Sequence, residues 1–77
     1  MSAAKATRAA QMIKIADKIA NIRDIVQTPP ADWTPQRKRD YLDWSEQVVN
    51  GCRGCNGFLE RVFDATITDA RRKLSND

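Results

Sequence analysis

The fold of this chain depends on one stretch, Asn50-Gly51-Cys52-Arg53-Gly54-Cys55-Asn56-Gly57. An Asn-Gly pair is typical of a helix C-terminus, and Asn56 is a residue type that caps the start of a new helix. Three glycines inside one helix would each cost about 1 kcal/mol relative to alanine. This composition therefore predicts a break between two helices at residues 51–56.

The apolar pattern around the stretch favours the opposite interpretation, a single helix. Apolar residues recur every three or four positions on both sides of the glycines, and their phase does not change. The stripe consists of Tyr41, Trp44, Val48, Cys52, Cys55, Leu59, Val62 and Thr66, flanked by Leu42, Val49, Phe63 and Ala70. A helix over residues 35–74, kinked at the glycines, would be about 60 Å long at 1.5 Å per residue. Because the N-terminal arm is too short to cover it, such a helix would have to dimerise or dock on a partner.

The N-terminal arm and the turn after it give clearer signals. A seam with alternating spacings of three and four predicts a helix over about residues 2–27. Its members are Met12, Ile15, Ile19, Ile22 and Val26. Pro29 and Pro30 end this helix, since proline lacks the backbone donor that a helix needs. Thr34 and Pro35 then match an N-cap followed by proline at the first helical position, which starts a second helix at residue 35.

These patterns predict an all-α fold in a single domain, residues 1–77, with helices at about 2–27, 35–50 and 57–74. The chain is a three-helix bundle if the break is real, and a helical hairpin if the last two helices are one continuous kinked helix. A chain of 77 residues buries only about 60% of the surface that its unfolded state exposes. Because such a core is marginal, we expect the chain to self-associate as a homo-oligomer.

Cys52 and Cys55 form a CxxC pair with three interpretations. Residues 52–57 resemble part of the CxxCxGxG zinc repeat of the J-domain co-chaperones, with Leu59 in place of the last glycine. Zinc needs four ligands, so two thiols without a histidine could hold it only in a site shared between two chains. A redox role is the second interpretation, since a thiolate near a helix N-terminus is stabilised. We favour the third, in which both cysteines are small hydrophobes on the apolar face, and we therefore predict no cofactor.

The start of the second helix carries three cations, where the helix dipole disfavours each by about 0.3–1 kcal/mol. Sequences that break a local rule often do so for function, and a helix N-terminus with added cations suits an anion. Arginine beside aromatic rings can hold a phosphate and stack a base. We therefore predict a partner- or anion-binding site at Trp33, Arg37, Lys38, Arg39, Tyr41 and Trp44. In the alternative interpretation, Asp40 and Asp43 neutralise the cations, and Tyr41 and Trp44 belong to the core.

No catalytic constellation is visible in the sequence. The chain has no histidine, the commonest general base, so Ser45 has no such partner to activate it. We predict a small non-enzymatic helical protein that binds a larger protein complex and modulates or inhibits it, as accessory proteins of phages and mobile elements do. Two alternatives remain: a nucleotide- or nucleic-acid-binding protein that uses the basic-aromatic site, and a thiol or zinc protein that uses Cys52 and Cys55.

Charge and hydropathy restrict the partners and the cellular location that the sequence predicts. The net charge of +3 permits an acidic partner without requiring one. No apolar run approaches the roughly 18 residues that a membrane span needs, and the N-terminus lacks the apolar core of a secretory signal. The lack of an apolar span predicts no membrane contact. Two cysteines without a secretory signal predict a reducing, cytoplasmic location.

Overall fold

The computed structural model describes residues 7–75 of the chain. These residues form three α-helices and no strand, namely α1 (Arg8–Gln27), α2 (Pro35–Asn50) and α3 (Gly57–Ser75). The all-α prediction is therefore confirmed, and the break at residues 51–56 decides for three helices and against a continuous kinked helix. The predicted first helix is confirmed from Arg8 to Gln27. Thr7 is not helical but is the N-cap of α1, with extended backbone angles, and the predicted residues 2–6 lie outside the described residues.

The break between α2 and α3 is built by backbone geometry and capping. Gly54 has a φ of 96°, in the left-handed region that glycine adopts without steric cost. The side-chain oxygen of Asn56 accepts a hydrogen bond from the Leu59 N–H at 2.9 Å and caps α3. Glu60 reaches back and accepts from the N–H groups of Gly54 and Asn56 at 2.8 and 3.3 Å. These bonds satisfy donors that a helix start would leave unpaired, which explains why the glycines override the continuous apolar phase.

Contacts from both sides hold this turn in place. The Arg8 Nε donates a hydrogen bond to the Cys55 carbonyl at 2.6 Å, which joins the start of α1 to the start of α3. Arg53 forms a two-pronged ion pair with Asp64, with nitrogen–oxygen distances of 2.8 and 3.2 Å. The hydrogen bond with Asp64 raises the pKa of Arg53 above its usual value. Cys52 and Cys55 are free thiols, each only 5% exposed, within the hydrophobic core.

The core lies where the three helices meet. Its α1 contribution follows the predicted seam, with Ile15, Ile19 and Ile22 buried and Met12 and Val26 packed beside them. The other two helices add the following buried residues: Leu42, Ser45 and Val49 from α2, and Phe63, Ile67, Ala70 and Leu74 from α3.

The predicted stripe was wrong by about one position on α2 and α3. On α2 the buried positions are Leu42, Ser45 and Val49, while Tyr41 is half-buried and Trp44 is 49% exposed. On α3 the predicted stripe residues Leu59, Val62 and Thr66 are half-buried, and the flanking Phe63 and Ala70 are inside. On both helices the core uses the neighbouring face, where Leu42 and Phe63 flank the predicted stripe.

A single arginine links α2 to α3 at the surface. The Arg71 Nη2 lies 2.9 Å from both the Asp43 Oδ1 and the Glu46 Oε1. Hydrogen bonds with Glu46 and then Asp43 raise the pKa of Arg71 above its usual value. Partly exposed ion pairs of this kind contribute little stability each, so the linkage mainly fixes the relative position of the helices.

Within residues 7–75, no helix is both long enough and apolar enough to cross a membrane.

Candidate functional site

The candidate site is built on the first turns of α2. The Thr34 Oγ1 accepts a hydrogen bond from the Arg37 N–H at 3.1 Å, and Pro35 occupies the first helical position. This confirms the start of α2 predicted from the sequence. In the preceding turn, the Trp33 N–H donates to the Pro30 carbonyl at 3.1 Å. The loop before α2 therefore positions Trp33 next to the first turn of this helix.

Three aromatic rings form a row along this face of α2. The ring centroids of Trp33 and Tyr41 are 5.8 Å apart, with an interplanar angle of 54°. Those of Tyr41 and Trp44 are 5.6 Å apart, with an angle of 50°. Tilted pairs at these distances are favourable because ring edges and faces carry opposite partial charge. We call this set of three rings the aromatic row.

A cation stands at each end of the aromatic row. The guanidinium carbon of Arg37 lies 4.5 Å from the Trp33 ring centroid. The Lys18 Nζ, from α1, lies 4.3 Å from the Trp44 centroid and 5.9 Å from the Tyr41 centroid. Contacts of this kind are attractive because the face of an aromatic ring carries a partial negative charge. The five residues Lys18, Trp33, Arg37, Tyr41 and Trp44 are called the cation–aromatic cluster below.

The structure brings together four of the six predicted site residues. Arg39 lies on another face of α2, where it borders a groove towards α3 with Asp43 and Arg71. Its Nη2 donates to the Gln36 Oε1 at 3.0 Å. Lys38 is half-buried and lies about 100° around the helix axis from Arg37. The three cations of the first turn therefore point in different directions and do not form one patch.

The alternative that local acids neutralise these cations finds little support in the described contacts. Asp43 pairs with Arg71 of α3, and Asp40 accepts a hydrogen bond from Gln36 at 2.8 Å. Arg37 instead packs against Trp33.

Lys18 is a member of the cluster that the sequence did not single out. Its side chain is only 12% exposed, and its Nζ lies 3.9 Å from the Asp17 Oδ2. The available signal was its position immediately before Ile19, at the edge of the α1 seam, where a long side chain can lie along apolar surface.

The cysteines do not extend the site. Both side chains lie in the core, which agrees with the interpretation as small hydrophobes. Among residues 7–75, no three His, Cys, Asp or Glu side chains gather in a way that could hold a metal ion.

The cation–aromatic cluster has the chemistry of a phosphate-and-base site. Arg37 and Trp44 are both exposed. A guanidinium can donate several charge-assisted hydrogen bonds to a phosphate, and an exposed indole can stack on a nucleobase. Lys18 adds a second positive charge beneath the rings.

Comparison with known proteins then indicates a class. The chain is similar to pyrophosphohydrolases. It is 40% identical to the guanosine-3′,5′-bis(diphosphate) 3′-pyrophosphohydrolase MESH1 of Xenopus tropicalis over 60 residues. These residues are 78% of this chain and 34% of the relative. The relative of the same name from Danio rerio is 40% identical over 65 residues, which are 84% of this chain and 36% of the relative. The one from Drosophila melanogaster is 41% identical over 63 residues, which are 82% of this chain and 35% of the relative. No protein-family model and no solved structure matches the chain.

The extent of the match covers the candidate site. A match of 65 residues in a chain of 77 leaves only 12 residues outside it, so it must include residues 13–65. This range contains every member of the cation–aromatic cluster. The chain spans about a third of the length of the curated relatives it matches.

The similarity corrects the function predicted from the sequence. The prediction of a non-enzymatic inhibitor or accessory protein of phage type was wrong, because the relatives at about 40% identity are named as enzymes. The error came from requiring a complete catalytic constellation within 77 residues. The matched region is only 34–36% of the length of these enzymes, so their catalytic groups can lie in parts that this chain does not match.

Proposed function

We propose that this chain supplies the substrate-binding helices of a guanosine-3′,5′-bis(diphosphate) 3′-pyrophosphohydrolase. The observation that carries the proposal is the 40% identity to a protein of that name over a range that includes the whole cation–aromatic cluster. The geometry supports it independently, because rings and cations together suit a ligand that combines a purine base with two diphosphates.

Three members of the cluster have distinct roles in the proposed complex. The exposed Trp44 stacks on the guanine base, and Arg37 donates hydrogen bonds to one diphosphate. Lys18 lies against Trp44 and Tyr41, and there it holds the two rings in place from the α1 side. The cluster contains no carboxylate, thiol or imidazole, so we assign it to binding and not to the activation of water.

The cytoplasmic location is also part of this proposal. Its support is that both cysteines are free thiols, which suits a reducing compartment.

A titration of the 77-residue chain with guanosine-3′,5′-bis(diphosphate) tests the binding role. Both tryptophans of the chain belong to the cluster, so their fluorescence reports occupancy directly. Stacking of one base contributes about 1–3 kcal/mol, and a charge-assisted hydrogen bond about 1.5–3 kcal/mol. A sum near 4 kcal/mol corresponds to a Kd of about 1 mM or tighter.

Two control ligands separate the two halves of the site. Guanosine, which lacks phosphate, and inorganic pyrophosphate, which lacks the base, are each expected to bind more weakly than the bis(diphosphate). Raising the salt concentration should weaken the binding of the bis(diphosphate) more than the binding of guanosine, because the contact with Arg37 is electrostatic. A fluorescence response that is equal for guanosine and the bis(diphosphate), or absent for both, would contradict the proposal.

A further inference from the structure

Two thiols face the core from the turn between α2 and α3. Cys52 and Cys55 are separated only by Arg53 and Gly54, and both side chains belong to one cluster of packed, buried residues. The φ of 96° at Gly54 lets the chain change direction between them. Both cysteines are free thiols, so the structure shows the reduced form of the pair.

The spacing of the two cysteines is compatible with a disulfide. Such a bond needs Cα atoms about 4.4–6.8 Å apart. Cys52, Arg53 and Gly54 lie in the turn and Cys55 follows it, and the first and last Cα atoms of a four-residue turn are less than about 7 Å apart. Because both side chains pack into the same cluster, a bond between their Sγ atoms leaves the course of the helices unchanged.

The two cysteines are anchored to different helices, while the backbone between them is held at the surface. The Cys52 N–H donates a hydrogen bond to the Val49 carbonyl of α2 at 2.8 Å, and the Cys55 carbonyl accepts one from Arg8 of α1 at 2.6 Å. Between them, the Gly54 N–H donates to Glu60 in an exposed hydrogen bond. Local opening of this short segment therefore exposes both thiols without unfolding a helix.

We propose that Cys52 and Cys55 are a redox-sensitive pair that closes to a reversible disulfide and clamps the turn between α2 and α3. The inference is independent of the proposed function. In a reducing compartment the pair stays reduced, and the clamp closes when the surrounding thiol pool becomes oxidised. Disulfides that form in such compartments are usually transient and often serve as redox sensors.

The oxidant is a small disulfide such as oxidised glutathione. The thiolate of one cysteine attacks a sulfur of the oxidant and displaces one molecule of reduced glutathione, which leaves a mixed disulfide. The second cysteine attacks the mixed disulfide at the sulfur of the chain and displaces the second glutathione. In total, the two cysteines lose two protons and two electrons, and the oxidant takes them up as it becomes two thiols.

The clamp differs measurably from a pair of cysteines that only fill space. If the native core needs two separate thiols, closing the bond displaces both Sγ atoms and the disulfide is less stable in the folded chain than in the unfolded chain. If the fold holds the thiols close to bonding geometry, the disulfide is more stable in the folded chain. By linkage, the same factor then stabilises the folded state of the oxidised chain.

A glutathione titration decides between these outcomes. The 77-residue chain is equilibrated with mixtures of reduced and oxidised glutathione, once in buffer and once in concentrated urea. Free thiols are then alkylated and counted by mass spectrometry. We expect the equilibrium constant for disulfide formation to be about tenfold higher in the folded chain, a factor that corresponds to about 1.4 kcal/mol. An equilibrium constant equal to or below the value in urea would overturn the proposal.

Urea unfolding of the oxidised chain provides the second measurement. Its midpoint should rise on oxidation and return to the original value when a reductant is added. Cys52→Ala and Cys55→Ala are the matched controls, since each keeps one thiol and can form only a mixed disulfide, so oxidation should not raise its midpoint. If a variant does not fold, the titration of the unmodified chain still decides. A disulfide that links two chains, seen as a dimer on a non-reducing gel, would also overturn the proposal.

Discussion

Replacing Arg37 by glutamine is expected to weaken the binding of guanosine-3′,5′-bis(diphosphate) to the 77-residue chain by roughly 10- to 100-fold. Hydrogen bonds that involve a charged group contribute about 1.5–3 kcal/mol, which gives this range. Glutamine keeps a polar side chain with good helix propensity, so α2 should form as before. Tryptophan fluorescence measures the Kd, and circular dichroism checks the helix content.

Arg39→Gln is the matched control for this prediction. It removes the same charge from the same turn, but Arg39 lies on another face of α2, hydrogen-bonded to Gln36. Because Arg39 does not contact the cluster, its charge acts on the nucleotide only through solvent, where salt screens it. We therefore expect a change in Kd of no more than about twofold. Equal losses for Arg37→Gln and Arg39→Gln would show that net charge, and not the cation–aromatic cluster, attracts the nucleotide.

Replacing Phe63 by alanine is expected to lower the free energy of unfolding by about 3–5 kcal/mol. Phe63 is 0% exposed and lies in the core between the three helices. A domain of 77 residues has a total stability of roughly 4–12 kcal/mol at 0.05–0.15 kcal/mol per residue. The variant should therefore be close to unfolding at room temperature, as urea denaturation followed by circular dichroism will show.

Phe58→Ala is the comparison for Phe63→Ala. It removes the same side chain from α3, but at a position that is 66% exposed. We expect a change of less than about 0.5 kcal/mol, as is usual for exposed positions without special contacts. Similar effects at the two positions would contradict the described orientation of α3.

The fold was largely predictable because its signals are local. The α1 seam depends on residues of a single helix, and the caps at Thr34 and Asn56 depend on residues within one turn. The phase of α2 was not predictable in the same way, because size favoured Trp44 as a core residue over the small, polar Ser45. The structure buries Ser45 completely and places Trp44 against Lys18. The contact between Trp44 and Lys18 depends on the packing of α1 on α2, which the spacing along α2 cannot reveal.

The candidate site was predictable in its aromatic part and less so in its cations. Arg37, Tyr41 and Trp44 share a face by their spacing along one helix, which is a local property. Lys18 reaches the cluster from α1, a tertiary contact that spacing on α2 cannot reveal. The similarity to proteins named as enzymes could not be predicted from composition and spacing, since a region that matches a third of an enzyme need not contain its catalytic groups.

Pyrophosphate release by a chimera tests the central claim most directly. In this chimera the 65 matched residues of the Danio rerio relative are replaced by those of this chain. The chimera, the unmodified relative and the chimera with Arg37→Gln are incubated with guanosine-3′,5′-bis(diphosphate), and the nucleotide products are separated by ion exchange. We predict that the chimera hydrolyses the 3′-diphosphate and that Arg37→Gln raises its KM. A folded chimera that binds the nucleotide no better than guanosine and releases no pyrophosphate, beside an active relative, would contradict the account.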